Sequence, residues 1–261
     1  MADFERDTAI AAAGEGSFDC EIHEAWWVVA GPNGGYLAAM IVRALEAVVP
    51  EDRPLRSVTI HYLRAPVAGP AVIRTEAVRE GRSVSFMGAT LEQDGKAQAT
   101  AVAVFAADRS GIELDHVAAP DIPPPDEVDE PAGPVEASPP FRENFHFRQA
   151  IGDRPFSGAD EAVAGGWLRP RDSSPDLDAA LVVAMSDAWF PPVFSLVETP
   201  IVVPTLDLTV HLRAPLPRPS DWVLGSFWTR RVRDGFFEED GELFTRDGEL
   251  LAQSRQLAII V

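Results

Sequence analysis

The feature that most limits how this chain can fold is an internal repeat. Residues 58–66 read VTIHYLRAP and residues 208–215 read LTVHLRAP. Both alternate in strand fashion and stop on Leu-Arg-Ala-Pro, where proline cannot continue a ladder. Downstream of each lie strand-like runs and then an Asp-Gly pair, Asp94-Gly95 and Asp247-Gly248. Asp-Gly between strand candidates is a strong hairpin signal. A closing strand follows each pair, AQATAVAVF over residues 97–105 and LLAQSRQLAII over residues 250–260. One shared tetrapeptide arises easily by chance. The same order of elements, twice, does not.

Upstream of each repeated strand is one strong helix candidate. Residues 36–49 follow Gly34-Gly35 and stop at Pro50; residues 177–190 stop at Pro191-Pro192. Both are apolar on nearly all sides, which predicts deep burial. A buried helix followed by antiparallel strands that wrap it is an α+β plan. Between the halves, residues 118–140 are rich in proline and acids and nearly free of large apolar groups. That composition predicts an extended, solvated linker. The expected division is residues 1–117, a linker over 118–140, and a second unit over 141–261, with strands near residues 145–148 and 162–169.

Composition removes several function classes. With 22 Lys+Arg against 41 Asp+Glu, the formal net charge is −19. A nucleic-acid binder needs a basic footprint, and anionic lipid surfaces would be repelled. An anionic ligand would need a local cationic patch. Cys20 is the only cysteine, so no intramolecular disulfide forms and a cysteine-based zinc site is not expected. Residues 1–16 lack the apolar core of a secretory signal, and no run is long enough to span a bilayer. A cytoplasmic location is the default expectation.

Few residues stand out for chemistry. Asp187 is the only charged side chain between Ala179 and Val197. Buried, it needs partners, and burial raises its pKa unless donors hold the ionised form; near a helix end it could instead face water. Gln256 falls on a small, apolar strand face with Leu250, Ala252, Ser254, Ala258 and Ile260, where its amide needs a partner or bonds to backbone. The Asp-Gly register sets Ala103 in the matching place of the first half. Thr205 opens the second repeated strand, on one face with Asp207, Thr209 and His211, and a structural role suffices for it. The stretch Asn33-Gly34-Gly35-Tyr36 leads into the first helix. There glycines give close access to N–H groups at a positive helix end, although a Gly-rich turn needs no function. Trp26-Trp27 read as core or interface anchors, and His61 and His211 as strand-face residues. No GxGxxG, phosphate loop, GxSxG or HExxH occurs, and the histidines lack metal-ligand spacing.

These residues together resemble a family. Asn33-Gly34-Gly35-Tyr36, the Leu-Arg-Ala-Pro strand ends, Ser186-Asp187-Ala188-Trp189-Phe190, Thr205-Leu206-Asp207 and the closing Gln256 strand are similar to acyl-CoA thioesterase II-like (TesB-like) proteins. The resemblance covers most of the chain outside the linker. It implies a double hot-dog fold, in which each of two tandem domains wraps an antiparallel sheet around a long central helix. In that family an Asp, a Thr and a Gln hold and activate a hydrolytic water, and these fall on Asp187, Thr205 and Gln256. Two places depart from the common pattern: His-Arg-Pro is here Leu-Arg-Ala-Pro, and Gly-Gly-Gln is here Gly-Gly-Tyr.

The resemblance implies an acyl-CoA thioester hydrolase with Asp187 as general base and N–H groups near Gly35 as oxyanion donors. Asn33, Gly34, Gly35 and Tyr36 would lie on the substrate side. No metal or cofactor is implied beyond the coenzyme A of the substrate, and a homo-oligomer, dimer or tetramer, is expected. Arg64, Arg213, Arg230, Arg231 and Arg233 are candidates for the coenzyme A phosphates. Two alternatives share the fold: a non-catalytic acyl-CoA binder, and an enoyl-CoA hydratase or dehydratase, for which His23 is the only loose candidate.

Overall fold

The computed structural model describes residues 2–29, 31–130, 139–171 and 176–261. Among them the first half forms a short helix α1 (Phe4–Asp7), strands β1 (Ala11–Gly14) and β2 (Ser17–Ile22), and helix α2 (Gly34–Glu46). Strands β3 (Leu55–Tyr62), β4 (Gly69–Glu80), β5 (Val84–Gln93) and β6 (Lys96–Ala106) follow. The second half has β7 (Phe145–Ile151), β8 (Val163–Pro170), helix α3 (Ala179–Met185) and β9 (Thr205–Leu212). It ends with β10 (Val223–Trp228), β11 (Val232–Arg233), β12 (Phe236–Thr245) and β13 (Leu250–Ile259). The expected double hot-dog architecture is present, with the two sheets joined edge to edge.

The strands form one antiparallel sheet in the order β1-β2-β4-β5-β6-β3-β9-β13-β12-β10-β8-β7, with β11 beside β12. The order reads the same from both ends once the halves are superposed, with β3 matching β9 at the centre. The repeated strands are therefore the seam. Val58 pairs with Val210, Thr59 with Thr209 and Ile60 with Leu208. The repeated threonines face each other across it, their hydroxyls 2.9 Å apart.

Helix α2 forms because its apolar run is capped: the Asn33 side chain accepts from Tyr36 N at 2.9 Å. Its Met40, Ile41, Val42 and Leu45 are fully buried, each worth about 1.5–3 kcal/mol of transfer free energy. Helix α3 repeats the device, with Asp178 accepting from Leu181 N at 2.7 Å. It is shorter than the sequence predicts. It ends at Met185, and Ser186, whose hydroxyl bonds back to Val182 O, closes it. Asp187 thus lies in the turn beyond the helix. The two helices pack together inside one core cluster shared by both halves.

The first part of the expected linker is not free in solvent. Ala119, Ile122 and Val128 pack on the Trp167, Trp222, Leu224 and Phe244 cluster of the second half. Trp167 Nε1 donates to Pro123 O at 2.8 Å, and Arg246 pairs with Asp126. Residues 131–138 of that stretch lie outside the described residues. No helix among the described residues is long and apolar enough to cross a membrane.

Candidate active site

Asp187 sits where the N-terminus of α2 meets the C-terminal end of α3. Its Oδ2 accepts from Gly35 N at 2.8 Å and from Asn33 Nδ2 at 3.0 Å. Asn33 also donates to Asp187 O at 2.8 Å. Because Asn33 Oδ1 is used by the helix cap, its Nδ2 has to face the aspartate. The approach is tight enough to need glycine. A Cβ on Gly35 would lie 2.5 Å from Ala184 O and 3.0 Å from Asp187 Cβ, and one on Gly34 would lie 3.0 Å from Asp187 Oδ2. Tyr62 closes the site by donating to Gly34 O at 2.8 Å.

The other carboxylate oxygen faces the second half. Asp187 Oδ1 accepts from Gln256 Nε2 at 3.1 Å, and Gln256 Oε1 accepts from Thr205 Oγ1 at 3.0 Å. The structure brings Asp187, Thr205 and Gln256 into one hydrogen-bonded chain. Alternation in sequence set Thr205 on the face of Asp207 and Thr209. A bulge corrects this: Asp207 pairs with Leu257 but Thr205 with Ala258, so the strand slips by one residue and Thr205 turns inward.

Burial lifts the Asp187 pKa to about 6, against the pull of the Gly35 N–H, the Gln256 and Asn33 amides and the Gly34 backbone. The positive end of α2 and these donors favour the ionised carboxylate.

Comparison with known proteins gives this arrangement its context. Residues 23–106 match the model of the acyl-CoA thioesterase N-terminal domain, and residues 115–260 that of the C-terminal domain. The chain belongs to the acyl-CoA thioesterase family. That family membership makes it a thioester hydrolase. A hot dog fold protein of unknown function from Alicyclobacillus acidocaldarius is 28% identical, with 99% of this chain and 97% of that one covered and a TM-score of 0.89. An acyl-CoA thioesterase II from Mycobacterium marinum shares the fold at 21% identity, 99% and 98% coverage and a TM-score of 0.81. An uncharacterised Mycobacterium tuberculosis protein is 26% identical over 272 residues, 93% of this chain and 90% of its own length.

Within this thioesterase framework several expectations change. Tyr36, expected on the substrate side, is wholly buried. Its ring stacks on Trp26 at 4.9 Å, and its hydroxyl donates to Asp7 O at 2.8 Å. Its side chain therefore builds the core. The Gly35 N–H, expected for an oxyanion, is bonded to Asp187 instead. Asn33 and Gly34 likewise hold the aspartate and its surroundings. His23 lies beside Asp7, 3.9 Å from its carboxylate. Arg230 and Arg231 line a separate surface cavity of about 560 Å³ with Asp160, Glu161 and Trp228.

One site residue escaped the sequence reading. Glu239 on β12 is 4% exposed and accepts from Gln256 Nε2 at 3.0 Å. In sequence it hides in the acid run Glu238-Glu239-Asp240, which looks solvated. The signal available was alternation, since Phe237, Glu239, Gly241 and Leu243 share one buried face.

Proposed function

We propose that this protein hydrolyses an acyl-CoA thioester to a free acid and coenzyme A, with Asp187 as general base on a bound water. One observation carries the reading: a single glutamine amide, Gln256, links Asp187 to Thr205 in a site that needs both halves. The bonds support one way of holding a water. The Thr205 proton goes to Gln256 Oε1, which leaves the threonine lone pairs as acceptors. Asp187 Oδ2 already has two donors, and Oδ1 has room for one more. A water between them donates one hydrogen to Asp187 and one to Thr205, and its lone pair points outward.

That lone pair forms the new C–O bond at the thioester carbonyl as Asp187 takes the proton. Collapse of the tetrahedral species breaks the C–S bond, and the proton on Asp187 passes to the departing thiolate. A base with a pKa near the working pH suits both transfers.

The test follows thiol release and enoyl absorbance over a series of saturated and enoyl-CoA thioesters, for the parent and for Asp187→Asn. The variant is expected to lose about 10²–10⁴-fold in kcat. Full turnover by the variant would exclude Asp187 as the base. No thiol release from any acyl-CoA by the parent would leave a binding protein. Loss of enoyl absorbance without thiol release would mark a hydratase. The pH profile gives a second check. Asp187 must be ionised to act, so kcat/KM should rise with pH through about 6. A flat profile across that range counts against the assignment.

A further inference from the structure

We propose that Glu239 is a positioning residue of the hydrolytic site: it takes the second proton of the Gln256 amide and thereby locks the amide, Thr205 and the water in one arrangement. This inference rests on the hydrolytic reading above. Gln256 Nε2 lies 3.1 Å from Asp187 Oδ1 and 3.0 Å from Glu239 Oε1, while Gln256 Oε1 lies 3.0 Å from Thr205 Oγ1. Both amide protons are committed to carboxyl oxygens. A flipped amide would set its oxygen against the ionised Asp187 carboxylate and present an NH₂ to the threonine. Without Glu239 one proton would be free, and the amide would keep only Asp187 to define its orientation.

The arrangement also decides which carboxyl carries charge. Two carboxyls joined through one amide do not both ionise cheaply. Asp187 has the Gly35 N–H, the Asn33 amide and the α2 N-terminus. Gln256 is the one hydrogen-bond partner of the Glu239 side chain among the described residues. Two charges act on Glu239, that of Asp187 and that of Asp240 on its own strand. Asp240 points to the other face, where Arg255 pairs with it at 2.6 Å. On this face the neighbouring strand β13 carries Ala252, Ser254, Gln256 and Ala258, all uncharged. Burial, and then the Asp187 charge, hold the Glu239 pKa well above the usual carboxylate range. Glu239 is therefore the neutral acid of the pair and Asp187 the ionised base. If Glu239 loses its proton at high pH, a second negative charge lies beside Asp187 and opposes a reaction that itself builds negative charge, and the rate should fall.

Glu239→Leu, Glu239→Gln and Asp187→Asn, assayed together across pH, test this. Glu239→Leu removes the acceptor and should lower kcat about tenfold with KM little changed, the effect of roughly one lost buried hydrogen bond. Glu239→Gln restores a neutral acceptor and should recover most of that loss, but it cannot titrate, so the alkaline fall of the parent should disappear. Recovery by glutamine also guards against a leucine variant that merely folds badly. A leucine variant with the parental kcat, or a glutamine variant with the parental alkaline limb, overturns the proposal. If either occurs while Asp187→Asn is inactive, Glu239 alone is misassigned. An active Asp187→Asn would instead overturn the hydrolytic reading beneath it.

Discussion

The two halves share a plan and differ in what they place on it. On β13, Gln256 pairs with Leu208 and Glu239; on β6, the matching Ala103 pairs with Val58 and Met87. Thr205 opens β9 across a bulge, and Leu55 opens β3 across the same kind of bulge. Counted the same distance from each helix cap, Asp187 matches Val42. The second half thus carries Asp187, Thr205, Glu239 and Gln256 where the first carries Val42, Leu55, Met87 and Ala103, all buried. The helix starts differ in the opposite sense. Asn33-Gly34-Gly35 in the first half stands where the second has Asp178-Ala179-Ala180. The polar groups of one half meet the glycines of the other, and they make one site. At the mirror position Val42, Leu55, Met87 and Ala103 are apolar side chains, which can form no such chain of hydrogen bonds. A duplicated fold here gives one polar, hydrogen-bonded site and one apolar counterpart.

Converting second-half residues to their first-half counterparts should break the comparison most severely. Gln256→Ala copies Ala103 and frees both Thr205 and the outer oxygen of Asp187. Loss of the orienting amide should lower kcat roughly hundredfold, with circular dichroism unchanged. A variant within twofold of the parent would mean that the glutamine does not orient the water. Gly35→Ala copies Ala180 and acts on the other side of the site. Its Cβ would meet Ala184 O at 2.5 Å, so the helices must separate. Overpacking of this kind costs about 1–3 kcal/mol, and thermal unfolding would report it. The same movement stretches the Gly35–Asp187 bond, so kcat should fall as well. Unchanged stability would show that the glycine is not required by the helix contact.

How much of this was legible in the sequence follows from which residues obey simple periods. The repeat and the equivalence of Ala103 with Gln256 follow from equal counts forward from Gly95 and Gly248. Asp94 and Gly95 both take positive φ, as a tight turn requires. Thr205 was misplaced because a bulge is a single extra residue, which alternation cannot see. Glu239 was missed because its neighbours Glu238 and Asp240 are acids that face outward. Asp187 was recognised as unusual, but its setting was not, since helix α3 stops two residues before it and its donors Asn33 and Gly35 come from the other half of the chain. Local periodicity cannot report a partner so distant in sequence.

The reverse conversion should affect stability alone. Ala103→Gln places an amide among Val58, Met87 and other apolar groups, with no Asp187 or Thr205 to receive it. An unpartnered buried amide costs about 1–3 kcal/mol, so the melting temperature should fall while kcat of the folded enzyme stays at the parental value. A change in kcat would mean that the two sites are coupled through the seam between β3 and β9.

The smallest expected effect lies at that seam. Thr59 and Thr209 are a repeated pair that touches directly, at 2.9 Å between hydroxyls. Each single valine substitution removes the bond but leaves the other hydroxyl half-buried, so it should cost about 0.2–1 kcal/mol. The double substitution places two β-branched groups of the same shape face to face and leaves no polar group unpaired. It should therefore be no less stable than either single variant, because replacing both partners of a hydrogen bond is far milder than orphaning one. A double-mutant cycle in urea measures this directly. Additive loss in the double variant would mean that the hydroxyl pair itself holds the halves together. The expected non-additivity would assign that task to the backbone ladder and to the core shared by α2 and α3, which also align Gly35 with Asp187.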